Sequence, residues 1–270
     1  GGPPRRPLGA AHYRGPVPDL TLPRSVLAAL WLPHVTDLGG VTRASEAITG
    51  DDEPHVAVLG RTQLNLPGLF ATWAPARVVG AALPTPGRLA GAPAQAGADA
   101  VAAGECVVVA ARTTTWVAVP TVQPFGTALE PGAAVSWSVT EAPGAEHGLL
   151  ASLGSLSDAR SGLAGALATA TDALARLDLG RSAPEAARRI ADLAGESASW
   201  TPDWPLPPQV GHDRVDLLVR AARLLAIVDL AREAPTAAVT TWQEDQRGTA
   251  LREVEVAARQ AMSAATAYVR

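Results

Sequence analysis

The residues best placed to do chemistry lie in the loop 84–93, which is rich in proline and glycine. The loop leaves a predicted strand and enters a predicted helix, and such loops form the ligand crevice of α/β sheets. Free N–H groups at a helix N-terminus attract anions, and Arg88 adds positive charge. The pattern suggests a small anionic ligand bound by Arg88, Gly87, Gly91 and Gln95, while a rigid connector explains the same loop.

A second candidate is the turn 51–55, which places three carboxylates beside His55. Carboxylate oxygens bind hard cations and imidazole binds transition metals, so metal binding is one interpretation. The regular ligand spacing and the distant glutamate of a calcium loop are missing, however. A Gly-Asp-Asp-Glu-Pro run is also typical of a solvated turn before a strand, and we favour that interpretation and predict no metal.

Nucleophiles and general bases are harder to assemble from this sequence. His34 lies three residues before Asp37, and His212 lies four before Asp216, but no nucleophile accompanies either pair. Cys106 is the only cysteine, and its apolar neighbours are typical of a buried core thiol. Neither GxSxG nor GxGxxG occurs. We therefore predict no cofactor and assign no catalytic residue, and whether the chain is an enzyme stays open.

The composition excludes several classes of function. All 22 basic residues are arginine, which removes lysine Schiff-base chemistry and the lysine-dependent phosphate loop. The formal net charge of -4 argues against nucleic acid, which requires clustered positive charge. No apolar run reaches the roughly 18 residues of a membrane span, and no signal-peptide pattern is seen. These features predict a cytoplasmic protein with no nucleic-acid or membrane partner.

The chain is predicted to be an α+β protein whose N-terminal half is α/β. Residues 1–22 read as an irregular segment and 23–143 as a mixed α/β domain with a sheet of about five strands. Alternating strands and helices predict βαβ units and a partly parallel sheet. The predicted helices are 25–32, 42–49, with Thr42 as N-cap and Gly50 at its end, 67–73 and 95–103; the predicted strands are 55–59, 77–83, 105–110, 116–122 and 134–140.

The segment 134–140 gives the clearest strand signal. Its valines and Trp137 alternate with Ser136, Ser138 and Thr140, which is the period of two expected when one face of a strand is buried. Because the loop 126–132 is short, this strand is predicted to pair with the preceding one in antiparallel fashion.

Residues 144–270 are predicted to form a helical domain of about four helices. The change of pattern near Gly144 contains no long linker, so the two domains are free to share one core. Ser182 and Glu185 have capping-box spacing and begin one of these helices. The others are predicted at 157–177, 212–233 and 246–269.

Leucine spacing predicts how these helices pack. Residues 163, 167, 170, 174 and 177 form a heptad seam, which we expect to pack on the apolar helix 212–233 at the bundle centre. A dimer through the same seam is the alternative. On the last helix, an inner face is expected to run to Tyr268, and an outer face to carry Arg252, Glu255, Arg259 and Gln260.

Several stretches resemble actinobacterial proteins that have no assigned function. They are LPTPG at 83–87 with AGE at 103–105, LPP at 206–208, LLA at 224–226, and the last helix through Ala264 and Tyr268. The absence of lysine agrees with a GC-rich genome. The resemblance implies a bacterial lineage and carries over no catalytic residue.

The functional expectation is a non-catalytic binding or interaction protein. It rests on the lack of an assembled catalytic set and on a leucine seam suited to a protein partner or to self-association. The alternative is a small-molecule enzyme or ligand-binding protein that uses the loop 84–93 and Arg88.

Overall fold

The computed structural model describes residues 20–127, 130–175, 202–233 and 241–270, which form an α+β fold. Its helices are α1 Arg24–Trp31, α2 Leu38–Thr49, α3 Leu66–Trp73, α4 Gly97–Ala103, α5 Ala145–Leu153, α6 Leu156–Ala175, α7 His212–Glu233 and α8 Thr241–Thr266. Its strands are β1 Val56–Leu59, β2 Thr62–Asn65, β3 Ala76–Ala82, β4 Cys106–Ala111, β5 Thr114–Gly126, β6 Pro131–Glu141 and β7 Tyr268–Val269.

The strands form one sheet of seven in the order β2-β1-β6-β5-β4-β3-β7, two more than the five predicted. All five predicted strands are present. The sequence prediction missed β2, which pairs with β1 across a two-residue turn that begins at Gly60, where φ is +61°. It also extended the last helix through β7, whereas that helix ends at Thr266 and the chain then pairs with β3.

The sheet is antiparallel at every pairing except β1 with β6, so it is partly parallel as predicted. Both predicted βαβ units are wrong, because β1 and β3 are not neighbours and β3 and β4 are antiparallel. Strand β3 has 7 residues and is about 23 Å long, whereas α4 also has 7 residues and is only about 10 Å long. That helix does not carry the chain back along the strand, and β4 begins at the end of the sheet where β3 stops.

The pairing of β5 with β6 and the register of β6 confirm the prediction for 134–140. The two strands are antiparallel from the pair Trp116 and Glu141 to the pair Gly126 and Pro131. Trp137 is 1% exposed and the valines on either side of it are buried, while the intervening serines are exposed.

Helices cover the two faces of the sheet unequally. The larger buried cluster lies on one face and includes residues of α1, α2, α3, α6, α7 and α8, so residues from 23–143 and from 144–270 share it. A smaller cluster on the other face brings α4 and α5 against β3, β4 and β5. Helix α5 comes close at Gly80, where a Cβ would lie 3.0 Å from methyl carbons of Leu149 and Leu153.

Helix α8, rather than α7, lies at the centre of the described C-terminal helices. It packs against both α6 and α7 and also against β3 and α1. The prediction that α6 packs mainly on residues 212–233 is therefore wrong, because its main partner is α8. Five buried alanines on α8 allow this close approach of two helices at once: Ala250, Ala258, Ala261, Ala264 and Ala265.

The predicted leucine seam is only partly buried. Leu163 is 4% exposed and lies in the core, whereas Leu167, one turn later, is 45% exposed. The side chains at 170, 174 and 177 lie outside the described parts of the chain, as do the Ser182–Glu185 capping box and residues 1–19. The domain boundaries at 22 and 143 stay predictions.

The outer face predicted for the last helix is mostly covered. Arg252 is exposed, but Glu255, Arg259 and Gln260 are half-buried. The Gln260 amide donates hydrogen bonds to the carbonyls of Ser152 and Leu153, at 2.5 and 3.1 Å, so it caps the end of α5. This face of α8 is therefore a contact surface.

The beginning of α2 also differs from the prediction. Asp37 is the N-cap, and its carboxylate accepts a hydrogen bond of 2.7 Å from the Gly40 N–H. The hydroxyl of Thr42, the predicted cap, donates to the Leu38 carbonyl within the helix. The predicted end at Gly50 is confirmed, with φ at +53°.

Candidate functional site

The predicted ligand loop begins with a tight, exposed turn. Thr85 and Arg88 exchange two backbone hydrogen bonds of 3.0 and 2.9 Å, and Gly87 at the tip has φ +84°. The side chain of Arg88 is exposed. Because β3 and β4 are antiparallel, the crevice rule for parallel strands does not apply to this loop.

The other two predicted ligand residues lie apart from this turn. Gly91 packs against α5, where a Cβ would lie 3.0 Å from the Cβ of Ser152. Gln95 is exposed in a short 3-10 turn. These four residues line neither the cleft described below nor a smaller cavity between α5, α6 and α8, and their role stays a prediction.

The acidic turn 51–55 holds an ion pair instead of a metal cluster. Asp52 accepts hydrogen bonds from Nε and Nη2 of Arg24, at 2.8 and 2.5 Å. The same carboxylate oxygen is 3.2 Å from Nε2 of His55. Within the described ranges no group of three acidic, histidine or cysteine side chains is placed to bind a metal ion.

His55 continues this network into the sheet. The indole N–H of Trp137 donates to Nδ1 of His55 over 3.2 Å, and the imidazole is 2% exposed. An accepting Nδ1 carries no proton, so the ring is neutral and Nε2–H donates to Asp52. Burial lowers the pKa of His55, against the opposing effect of the Asp52 hydrogen bond.

The lowered pKa of His55 predicts acid sensitivity. Below pH 6.5, the ordinary pKa of histidine, the unfolded chain binds a proton that the folded chain does not. The free energy of unfolding should therefore fall as the pH drops from 6.5 toward the pKa of His55 in the folded protein. Urea unfolding across this range measures the effect. His55→Gln keeps a donor and an acceptor and should lose this part of the dependence; an unchanged dependence would contradict the assignment.

The remaining chemical candidates are not assembled into a catalytic set. Burial raises the pKa of Cys106 to about 12, as expected for a core thiol. The Asp37 carboxylate caps α2, and within the described chain it accepts no hydrogen bond from His34. His212 is exposed at the start of α7.

A cleft of about 400 Å³ lies where the N-terminal segment meets α7 and α8. Its walls come from four parts of the chain: residues 20–24, the junction of α4 and β4 at 103–105, one face of α7 and one face of α8. Four charged residues line it, Arg24, Glu105, Asp229 and Arg259. Sequence reasoning missed this cleft because no local motif joins these positions.

Both arginines of the cleft are held by carboxylates behind them. Arg24 is bound by Asp52, as described above. Nε of Arg259 donates to Glu255 over 2.9 Å and Nη1 to the Gly104 carbonyl over 3.0 Å. Glu255 and Arg259 have the favourable i,i+4 spacing of a helical ion pair. That spacing is the one feature of the sequence that indicates this contact.

The second surface feature is the part of the sheet that α4 and α5 leave bare. Two rows of paired residues cross β2, β1, β6 and β5 there, Asn65–Val56–Ser136–Thr121 and Gln63–Val58–Ser138–Val119. The exposed residues of this face carry no charge. We call them the bare face: Val56, Val58, Gln63, Asn65, Thr121, Gln123, Phe125, Ser136, Ser138 and Thr140.

The β5–β6 hairpin extends this face beyond the neighbouring strands. The last β5 residue paired with β4 is Ala118, and the first β6 residue paired with β1 is Ser136. At the end of this ribbon the ring of Phe125 lies over Gly132, where a Cβ would be only 2.5 Å from it. Phe125 is 50% exposed, so the ribbon presents an aromatic ring to solvent.

No helix among the described residues is long and apolar enough to cross a bilayer.

Residues 25–151 match the family description "Rv1486c-like protein, N-terminal domain", and residues 157–263 match "Rv1486c-like protein, C-terminal domain". No curated protein and no solved structure matches the chain. Neither description names an activity, a substrate or a partner. The two matches together span most of the sequence, and the chain belongs to the Rv1486c-like protein family.

Proposed function

We propose that this chain is a non-catalytic interaction protein whose contact surface is the bare face. The observation that carries the proposal is a contiguous, exposed four-strand face without a single charged side chain. Val56, Val58 and Phe125 place exposed apolar side chains on this face, and exposed apolar patches mark contact surfaces. A cytoplasmic location is part of the proposal. The one cysteine is buried and cannot form the intramolecular disulfides that are typical of secreted proteins.

The chemistry of the bare face favours a protein partner. Nucleic acid requires arginines directed at phosphates, and the bare face has none. A flat surface of Ser, Thr, Val, Asn and Gln buries no charge when another sheet covers it, and its small side chains allow the usual spacing of about 10 Å between stacked sheets.

The occupant we propose is a second copy of the chain, packed face to face. Two copies present the same uncharged rows, so neither copy buries an unpaired charge of the other. Four strands spaced about 4.8 Å apart, over about six residues of length, give roughly 400 Å² per copy. The total of about 800 Å² is below that of stable complexes, so the dimer should be weak and concentration-dependent.

Sedimentation of the full chain from about 1 to 200 µM tests this proposal. We expect a reversible monomer–dimer equilibrium that Val58→Arg weakens at least tenfold. Val269→Arg is the matched control, because it adds the same charge at another exposed strand valine away from the bare face. A monomer at every concentration, or equal weakening by both variants, would overturn the proposal.

The loop 84–93 supports a second candidate, the binding of a small anion at Arg88. The two hydrogen bonds of the Thr85–Arg88 turn fix the backbone from which this side chain projects. Sulfate or phosphate should raise the melting temperature by about 2–4 °C. Arg88→Ala should abolish the shift, and Arg61→Ala, at another exposed turn arginine, should keep it. A shift that survives Arg88→Ala would exclude the site.

A further inference from the structure

We propose that the cleft between residues 20–24, α7 and α8 binds a small zwitterion of the amino-acid class with an apolar side chain. Its volume of about 400 Å³ falls within the usual range for small-molecule sites. It also lies at the junction of the N-terminal and C-terminal halves, where such sites are common. This inference is independent of the bare face.

The carboxylate of the ligand would be bound by the two arginines. The hydrogen bonds of Arg24 use Nε and Nη2, and those of Arg259 use Nε and Nη1. Among the described residues, Nη1 of Arg24 and Nη2 of Arg259 have no hydrogen-bond partner, so each offers donors to a ligand. Because Asp52 and Glu255 already hold these guanidinium groups, little side-chain freedom is lost on binding.

The amine of the ligand would be bound by the carboxyl groups. Asp229 lines the cleft and has no hydrogen bond to any described residue, whereas Glu105 accepts the Ser25 N–H over 2.7 Å at the start of α1. Burial of Glu105 and partial desolvation of Asp229 in the cleft wall raise the pKa of both carboxyl groups. A nearby ammonium would stabilise their ionised forms. Asp229 is therefore the main expected partner of the amine.

The rest of the wall is apolar and selects the side chain. Leu20, Leu22, Leu225 and Met262 line the cleft beside the charged residues. The cleft therefore has cationic groups, anionic groups and an apolar wall. These match a ligand with a carboxylate and an ammonium group close together and an aliphatic side chain. A plain fatty acid would make no ion pair with Asp229, and a plain amine would make none with the two guanidinium groups.

Calorimetric titration of the full chain with three probes tests the ligand class. The probes are L-leucine, 4-methylpentanoate, which lacks the amine, and 3-methylbutylamine, which lacks the carboxylate. We expect leucine to bind at least tenfold more tightly than either of the others. Equal binding of leucine and 4-methylpentanoate, or no binding of leucine at millimolar concentration, would overturn the proposal.

Two substitutions in the cleft wall, at exposed Asp229 and half-buried Leu225, assign the contacts. Asp229→Asn should weaken leucine about tenfold and leave 4-methylpentanoate unchanged, while Asp216→Asn, another exposed carboxylate on α7, should change neither. Leu225→Trp should fill the cleft and abolish leucine binding without removing a charge. Circular dichroism shows whether each variant is folded. Normal leucine binding by folded Asp229→Asn or Leu225→Trp would exclude the cleft as the site.

Discussion

Trp137→Ala should lower the free energy of unfolding by about 3–5 kcal/mol, one of the two largest effects we expect. The side chain is 1% exposed in the larger core cluster, so alanine leaves a large cavity. It also removes the N–H that Nδ1 of His55 accepts. Urea unfolding of both proteins at pH 7.5 measures the loss.

Trp137→Phe is the control that separates the two contributions. It keeps most of the apolar volume but removes the hydrogen bond to His55, so we expect a loss of about 1–2 kcal/mol. A loss below about 1 kcal/mol for Trp137→Ala would mean that this residue does not lie in the core and that the register of β6 is shifted.

Leu163→Ala should lower the free energy of unfolding by about 2–5 kcal/mol. Leu167→Ala should change it by no more than about 0.5 kcal/mol. The two leucines lie one turn apart on α6, but only Leu163 is buried. Each is therefore a matched control for the other, with the same change in side chain and helix propensity. Chemical unfolding measures both.

The same pair also tests where α6 packs. If the heptad seam predicted from the sequence were fully buried, both substitutions would cost similar amounts. Similar losses would therefore contradict the packing of α6 on α8 through Leu163. A dimer through Leu167 would give a loss that grows with protein concentration.

Local patterns in the sequence predicted the elements whose signals lie within a few residues. The alternation around Trp137 fixed the buried face of β6, and Gly50 marked the end of α2. Strand β2 has only four residues, too few for a clear alternation, and it was missed. The Gly39-Gly40 pair lowers helix propensity at the start of α2, which hid the cap at Asp37.

Features that depend on distant contacts could not be predicted in this way. Glu255 and Arg259 look like a solvent-exposed i,i+4 pair, and only the approach of residues 103–105 places Arg259 in the wall of a cleft. Asp52 looks like part of a solvated turn, and only the position of α1 gives it Arg24 as a partner. The sequence indicated the right chemical groups at these positions without indicating which of them meet.

The topology of the sheet has a consequence for the order of folding. Strands β3 to β6 form a meander in which each strand pairs with the next along the chain, so little loop-closure entropy opposes their association. By contrast, β1 pairs with β6, and β7 pairs with β3, across long stretches of chain: Val56 lies opposite Ser136, and Val269 lies opposite Val78. Pulse-labelled hydrogen exchange during refolding should protect the amides of β4 and β5 before those of β1. Simultaneous protection of all strands would contradict this order. It would indicate that the meander does not fold first and that the whole sheet forms in one step.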